Sequence, residues 1–282
     1  MLLDNNISHS DVVICSVWIG PPTDWQVYCQ NNHKEYAQKH GYSYQCFTAT
    51  DLPSLATHLS SASPAFQTGW LMPIVILELL KIHEFVFWMD MDSLFTNFDI
   101  SLQDLINLRK DLVFTGDHND ICNGGHLLFQ RTQWSESFLK SWSELNDIQP
   151  NDIQTTHIEC GVIGCQIALC ALLSNPMTNQ TTINHDFNRV NGFRGNRNRH
   201  HRLFRYLFSP VTSANLNRII SLIHPTVRPH VSVVHQCRLN SYPKSCRPAR
   251  GASWKLGDPI VHLVADTKNQ FLNFEITETN NK

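Results

Sequence analysis

Apolar and polar residues alternate along the chain in blocks that predict strands and helices in turn. Val12 to Ile19 is an apolar run ended by a Gly-Pro-Pro turn, and it predicts the first strand. Asp24 can cap a helix that runs to His40, and Tyr42 to Phe47 predicts a second strand after the glycine that stops this helix. This order of strand, helix and strand predicts a right-handed parallel unit of an α/β fold.

The rest of the chain continues this pattern. Residues 66–82 are apolar nearly all round and predict a buried helix, with Pro73 in its first turn, where the missing N–H costs little. Residues 50–65 and 146–160 are polar and predict loops. The further elements that we predict are a helix opened by Ser101 or Asp104, strands over Leu112–Thr115 and Gly125–Gln130, helices over Thr132–Leu145 and Gly164–Leu173, and a last strand over Ile260–Val264.

The strongest chemical signal is a pair of carboxylates at the end of an apolar run. Residues 85–89 are all apolar, which is typical of a strand covered on both faces, and Asp90 and Asp92 follow directly. In open α/β sheets, ligands bind beyond the carboxyl ends of such strands. Residues i and i+2 of extended backbone face the same side, so both carboxylates can address one Mg²⁺ or Mn²⁺ ion. The alternative is a surface turn with two solvated acids.

Composition narrows the class of protein. The chain has 282 residues, 42% of them hydrophobic and 16% charged, which predicts one large domain with a sizeable core. The net charge of -2 gives no indication of a nucleic-acid partner. Nine cysteines without a CxxC pair, Cys160, Cys165 and Cys170 among them, predict buried thiols rather than a disulfide framework. A zinc site built from His224, His230, His235, Cys237 and Cys246 is an alternative whose spacing matches no finger pattern.

The sequence contains no signal of insertion into a membrane. It has no apolar run of about 18 residues, and its first six residues lack the pattern of a signal peptide. We therefore expect a cytoplasmic protein that is at most peripheral to a membrane, with the Golgi lumen as its location only if the sequence is part of a longer chain.

Residues 188–205 form a basic segment that contains six arginines, two histidines and no acid. A basic segment can recruit phosphates, nucleic acid or anionic lipid. Because no membrane anchor is predicted, we expect this segment to dock the protein on an anionic membrane surface. The alternative is a solvated loop without a partner.

Several motifs occur together and in order. They are Trp70, the strand from Glu84 to Trp88, Asp90-Met91-Asp92, Asn123-Gly124-Gly125 with the strand that follows, Arg131-Thr132-Gln133-Trp134-Ser135, and Gly257-Asp258-Pro259-Ile260-Val261-His262. Together they resemble the galactosyl-, mannosyl- and xylosyltransferases of the fungal Golgi mannan and plant xyloglucan type. The resemblance covers residues 10–145 well and residues 255–266 more thinly.

The resemblance implies a fold and an activity. The fold would be a GT-A-type (Rossmann-like) α/β domain, in which helices flank a mixed, mainly parallel sheet. One such domain would span residues 10–270, with frayed termini at 1–9 and 271–282. The activity would be transfer of a hexose or pentose, with retained anomeric configuration, from a nucleoside-diphosphate sugar to a glycan, a glycolipid or another hydroxyl acceptor. It would depend on Mn²⁺ or Mg²⁺.

The resemblance also implies roles for individual residues. Asp92 and His262 would be direct metal ligands, and Asp90 would reach the ribose or a metal-bound water, so that all three define the metal site. The other implied site residues are Asn123, Gly124 and Gly125 against the donor sugar, Gln166 near the reacting carbon and Lys268 on a phosphate. His262 as a core histidine and Asn123 to Gly125 as a simple turn are the alternatives.

The sequence departs from the family pattern at two places. Cys165 stands where the family has an Asp before the Gln, which leaves open a non-catalytic relative that binds nucleotide or sugar, unless Glu159 or Asp186 takes over the acceptor role. His262 is not followed by the usual aromatic residue and glycine, and Lys268 is not at the usual spacing. A sugar nucleotidyltransferase is a third alternative, although no glycine-rich phosphate loop follows the first strand.

Overall fold

The computed structural model describes residues 11–48, 51, 64–116, 122–147, 163–178, 216–246 and 252–274. Its strands are β1 Val12–Trp18, β2 Ser43–Thr48, β3 Phe85–Met89, β4 Ser93–Phe95, β5 Leu112–Thr115, β6 His126–Gln130, β7 Val231–Val234 and β8 Ile260–His262. Its α-helices are α1 Asp24–His40, α2 Pro64–Leu79, α3 Gln103–Ile106, α4 Gln133–Ser143, α5 Ile163–Ser174 and α6 Leu216–Leu222. Four 3₁₀ helices span Glu144–Asp147, Arg228–His230, Gln236–Arg238 and Ala265–Asn273.

Six strands form the main sheet, in the order β2-β1-β3-β6-β5-β7. β1 runs parallel to β2 and β3, β6 runs antiparallel to β3 and β5, and β7 runs parallel to β5. One strand, β6, therefore opposes the other five, and the predicted mixed, mainly parallel α/β sheet is confirmed. β4 and β8 form a separate antiparallel pair.

β3 lies between two hydrophobic layers, as its unbroken apolar run predicts. Val86 and Trp88 point into one cluster together with residues of α2 and α5. Phe85, Phe87 and Met89 point into the other, which includes residues of α1 and α3. Because alternate side chains face opposite layers, every position of this strand has to be apolar.

Two local predictions about helices are wrong in detail. Helix α1 spans the predicted residues, but Thr23, not Asp24, is its N-cap, because the Thr23 side chain accepts from the Gln26 amide. Gly41, with φ 68°, ends the helix as predicted. α2 begins at Pro64, so Pro73 lies inside the helix and not in its first turn. The burial of its apolar residues, Trp70, Leu71 and Ile76 among them, outweighs the hydrogen bond that Pro73 cannot make.

The shortest elements differ most from the sequence prediction. α3 is a single turn with Leu102 at its N-cap, instead of a helix opened by Ser101 or Asp104. β4, α6 and β7 were not predicted, because strands and helices of three to seven residues carry too few positions to show a period. Phe271 and Phe274 pack against the cluster that contains Met91 and Val261. The domain limits of 10 and 270 stay a prediction.

Some predictions fall outside the described residues. They are most of the two polar loops, the basic segment 188–205, and the acids Glu159 and Asp186. The residues weighed for a zinc site are described, and they do not converge: His224 bonds Thr226, and His230 bonds Asp111. None of the helices in the described ranges has the length and apolar character that spanning a bilayer requires.

Candidate active site

Two distant segments of the chain meet at the carboxyl end of β3. Asp90 and Asp92 follow β3, and His262 is the last residue of β8. β4 starts directly after Asp92 and pairs with β8 so that Ser93 lies opposite His262. The Leu263 amide also donates to the Asp92 carbonyl, at 2.7 Å. The small β4–β8 sheet therefore places His262 beside Asp92, which is 170 positions away in the sequence.

The three side chains converge closely enough to hold one metal ion. His262 Nε2 lies 3.1 Å from Asp92 Oδ1 and 3.8 Å from Asp90 Oδ2. One ligand atom from each residue lies within 4.8 Å of the other two. The carboxylates are partly buried and His262 is buried. Among the described residues, no other place brings three or more possible metal ligands together.

A neighbouring side chain holds each of these three residues. Trp88 Nε1 donates to Asp90 Oδ1 at 2.9 Å, and Lys268 Nζ lies 3.0 Å from Asp92 Oδ2. His262 Nδ1 lies 2.8 Å from Asn240 Oδ1. Histidines that bind metals commonly donate their second ring N–H in this way, which fixes the orientation of the ring. Nε2 then faces the two carboxylates.

The two carboxylates have different acidities. Burial raises the pKa of Asp90 to about 6, and the Asp92 charge adds to this, while His262, Trp88 and Lys268 act in the opposite direction. Burial would raise the pKa of Asp92 as well, but His262 and Lys268 outweigh it and hold that pKa below its usual range. Asp92 is therefore ionised at any ordinary pH. Because the pKa of Asp90 is raised, a cation that binds in mildly acidic solution would have to displace a proton from Asp90.

Lys268 lies beside the carboxylates, on the 3₁₀ helix Ala265–Asn273. Besides Asp92, it contacts the ring of Trp25, with Nζ 5.0 Å from the ring centroid. Its side chain is 37% exposed, so it can also reach ligands from solvent. The predicted phosphate-binding lysine is thus next to the predicted metal ligands.

The Asn-Gly-Gly turn packs directly against the candidate metal ligands. The Gly125 carbonyl accepts from the Asp90 amide at 2.8 Å, and Asn123 Oδ1 accepts from the Gly125 amide at 2.8 Å. A Cβ at Gly125 would lie 2.8 Å from His262 Cε1 and 3.0 Å from Asp90 Oδ2. A glycine is required at position 125 because no larger residue leaves room for the side chains of His262 and Asp90.

Helix α5 brings Gln166 to the same turn, where its Oε1 accepts from the Gly124 amide at 2.9 Å. Its neighbour Cys165 is 1% exposed and belongs to the hydrophobic core. Burial, with a smaller effect of the Asp90 charge, raises the pKa of its thiol well above the usual value. Of the two interpretations of Cys165, the core thiol is therefore correct, and an acceptor-contacting position is not.

The structure adds three residues that the sequence analysis did not assign. Asn240 and Tyr242 are buried beside His262, and no local pattern distinguishes them in the sequence. His126, the first residue of β6, is buried with its ring centroid 5.2 Å from that of His262. Burial, followed by the His262 charge, lowers the pKa of His126 well below its usual value, so this ring is neutral. Its position directly after Asn123-Gly124-Gly125 is a signal that could have drawn attention to it.

Comparison with a protein family supports the resemblance inferred from the motifs. The model of the galactosyl transferase GMA12/MNN10 family matches residues 19–114, about a third of the chain. This segment includes Asp90 and Asp92 and ends before Asn123. No curated protein matches the chain.

Solved structures are similar to the chain at low sequence identity, and the first of them shares its fold. A glycosyltransferase involved in the glycosylation of the major capsid of PBCV-1 is 12% identical with a TM-score of 0.51, over 93% of this chain and 98% of its own. The galactosyltransferase LgtC, in complex with donor and acceptor sugar analogues, is 11% identical with a TM-score of 0.42, over 93% and 94%. Mouse xyloside xylosyltransferase 1 is 8% identical with a TM-score of 0.42, over 91% and 98%.

The sheet topology and the family match define the class of protein: it is a glycosyltransferase with a GT-A fold. The predicted resemblance to the fungal galactosyl- and mannosyltransferases is confirmed over the matched residues.

Proposed function

We propose that the protein is a metal-dependent, retaining glycosyltransferase. It transfers a hexose or pentose from a nucleoside-diphosphate sugar to a hydroxyl of a glycan or glycolipid. The observation that carries this proposal is the convergence of Asp90, Asp92 and His262 at the carboxyl edge of β3. Ligands of open α/β sheets bind at this edge.

The donor atoms fit a divalent cation. Two carboxylates supply the oxygens that Mn²⁺ and Mg²⁺ prefer, and the imidazole nitrogen of His262 favours Mn²⁺ of the two. When bound, such an ion acts as a Lewis acid that stabilises the negative charge on the departing diphosphate. Asp90, Asp92 and His262 would hold it, and Trp88 and Asn240 would keep Asp90 and His262 in position.

Lys268 supplies a second positive charge for the diphosphate. It can exchange its contact with Asp92 for a phosphate oxygen, because its side chain is partly exposed. A charge pair at about 4 Å is worth about 4 kcal/mol at an effective dielectric constant near 20, and solvent reduces this for Lys268. Since about 1.4 kcal/mol of selective transition-state stabilisation is tenfold in rate, even a reduced interaction affects turnover.

The reacting sugar would lie against the Asn123-Gly124-Gly125 turn, within reach of Gln166. The Gln166 carbonyl is held by the Gly124 amide, which orients an uncharged polar group towards this side of the site. Retention by front-side attack requires no strong base, so an uncharged side chain is sufficient near the reacting carbon. Asp90 is assigned to the ribose or a metal-bound water in addition to the ion.

Of the other interpretations, a non-catalytic relative loses its main support. It was suggested by Cys165 in the place of an Asp, but Cys165 is buried in the core, where no acceptor can reach it. A sugar nucleotidyltransferase is disfavoured because the matched family consists of galactosyl transferases.

The proposal is tested with a panel of nucleotide sugars in Mn²⁺ or EDTA. We expect one nucleoside to raise the melting temperature in Mn²⁺ only, and its sugar conjugates to release nucleoside diphosphate, faster when sugar acceptors are added. Binding that is equal in EDTA and in Mn²⁺ would contradict the metal dependence. Binding without release of diphosphate would favour the non-catalytic relative.

A glycine pair provides a sharp test of the metal site. Gly125→Ala should fold but weaken binding of Mn²⁺ by about tenfold or more, because the new methyl group has to displace His262 or Asp90. Gly124→Ala is the matched control, since its Cβ would meet Gln166 Oε1 at an ordinary 3.5 Å and touches neither ligand. Mn²⁺ titration followed by electron paramagnetic resonance measures both. Equal affinities of the two variants would contradict the close packing of Gly125 against the ligands.

We further propose that segment 188–205 binds an anionic membrane surface that carries the acceptor. The cytoplasmic location stays a prediction. The support is its charge of six arginines without an acid. Each arginine that reaches such a surface contributes about 1 kcal/mol. In flotation assays the protein should bind acidic vesicles at low salt, lose binding at moderate salt and ignore neutral vesicles. Equal recovery with both vesicle types would favour the solvated loop.

A further inference from the structure

We propose that Asn240 and Tyr242 are positioning residues of the metal site: Asn240 fixes the tautomer and orientation of His262, and the Tyr242 hydroxyl links Asn240 to the Asn-Gly-Gly turn. The proposal rests on the metal site of the proposed function. It is based on a network of hydrogen bonds that runs from His262 to Asp90 through buried residues beside the candidate ligands.

The first half of this hydrogen-bond network runs from His262 to Tyr242. Asn240 Oδ1 accepts from His262 Nδ1 at 2.8 Å. Asn240 Nδ2 in turn donates to Tyr242 Oη at 2.9 Å. The Tyr242 ring also lies against the His262 ring, with centroids 5.9 Å apart and planes inclined by 25°. Both residues therefore restrain the same imidazole, one at its Nδ1 and the other over its face.

The second half of this hydrogen-bond network runs from Tyr242 to Asp90. Asn123 Nδ2 donates to Tyr242 Oη at 3.3 Å, and Asn123 Oδ1 accepts from the Gly125 amide. The Gly125 carbonyl accepts from the Asp90 amide. A backbone N–H can only donate, so the Asn123 amide oxygen must face Gly125 and its NH₂ group must face Tyr242. The hydrogen-bond network thus joins His262 to Asp90 through side chains that have defined orientations.

The four side chains of this hydrogen-bond network are buried away from water. The exposed fractions are 0% for Asn240, 2% for Tyr242, 4% for Asn123 and 6% for His262. In such a site a lost hydrogen bond is not replaced by solvent, and each remaining bond strengthens its neighbours. We therefore expect this network to restrict the orientation of the His262 side chain far more than an exposed hydrogen bond would.

The consequence for metal binding follows from the two tautomers of a neutral imidazole. When Nδ1 carries the proton and donates it to Asn240, Nε2 offers a lone pair on the side of Asp90 and Asp92. Without the acceptor at Asn240, the Asp92 carboxylate, 3.1 Å from Nε2, favours the other tautomer, whose Nε2–H cannot bind a metal. Asn240 thus selects the competent form of His262 without touching the ion.

Backbone contacts allow this to be tested without loss of the fold. The His262 amide donates to the Ser241 carbonyl, and the Asn240 amide donates to the Gln236 carbonyl. Asn240→Leu keeps the side-chain size but lacks the acceptor, whereas Asn240→Asp keeps an acceptor for Nδ1. We expect Mn²⁺ alone, in the absence of nucleotide, to bind Asn240→Leu about tenfold or more weakly than the wild type, and Asn240→Asp within about threefold of it.

The tyrosine is tested in the same way. Tyr242→Phe removes the hydroxyl that accepts from two amides, and we expect Mn²⁺ affinity to fall by about fivefold, the effect of one or two buried hydrogen bonds. Tyr36→Phe is its control, because the buried Tyr36 hydroxyl donates to the Ile100 carbonyl and contacts no candidate ligand.

The outcomes distinguish this inference from the proposed function. If the wild-type protein bound no Mn²⁺, the metal site would be wrong and the assignment of Asn240 would fail with it. If the wild type bound Mn²⁺ and Asn240→Leu bound it equally well, the metal site would stand and the positioning role would be refuted. A parallel loss of affinity in Tyr36→Phe would also refute it, because the effect would then be general destabilisation.

Discussion

Asp92→Ala is expected to abolish metal-dependent nucleotide binding while the protein stays folded. Asp92 is the carboxylate closest to His262, and it also contacts Lys268. Loss of a direct ligand should weaken Mn²⁺-dependent binding by more than about 100-fold, beyond the range seen when only an outer hydrogen bond is removed. Nucleotide titrations in Mn²⁺ and in EDTA measure the effect, and only the Mn²⁺ titration should change.

The fold should survive because the structural contact of this residue is made by its backbone. The Asp92 carbonyl accepts from the Leu263 amide, and alanine retains that bond. The lowered pKa of Asp92 means that its charge adds some stability at neutral pH, and this contribution disappears as the pH falls through that pKa. A modest fall of the melting temperature in EDTA at neutral pH is therefore expected.

Asp99→Ala is the control for charge alone. Asp99 pairs with Lys39 at 2.9 Å on the surface, and such pairs contribute little. This variant should bind nucleotide as the wild type does. If Asp92→Ala also retained full Mn²⁺-dependent affinity, Asp92 would not be a metal ligand.

Cys165→Asp is expected to unfold the protein or to cause aggregation. The side chain is 1% exposed and belongs to a hydrophobic cluster whose described members are all apolar, so none of them offers a cation to an added carboxylate. Burial of an unpaired carboxyl group costs about 4 kcal/mol or more, a large part of the roughly 5–15 kcal/mol that stabilises a typical protein. The midpoint of urea denaturation measures the loss.

Cys165→Ala separates charge from volume. It leaves a small cavity and should cost only about 1 kcal/mol, so this variant should fold and bind nucleotide normally. A well-folded Cys165→Asp variant with faster sugar transfer would contradict the buried position and would restore the interpretation of Cys165 as an acceptor contact.

The sequence by itself determined the parts of the protein whose signals are local. The apolar run of β3 defines a strand covered on both faces, and the two acids that follow it predict the metal site. The length of α1 was likewise readable, because apolar spacing and Gly41 lie within one short segment. The family motifs extended the prediction to His262 and Lys268, which are distant in the sequence.

Only the tertiary structure decided how these residues meet. β4 has three residues and no visible period, yet its pairing with β8 brings His262 to Asp92. Nothing near Cys165 in the sequence distinguishes a core position from a position that lines the site, because the helix is apolar on most of its surface. The partners of His262, Asn240 and Tyr242, are contacts between segments. Pairing and burial at long range depend on how the whole chain packs, which local hydrophobic patterns do not encode.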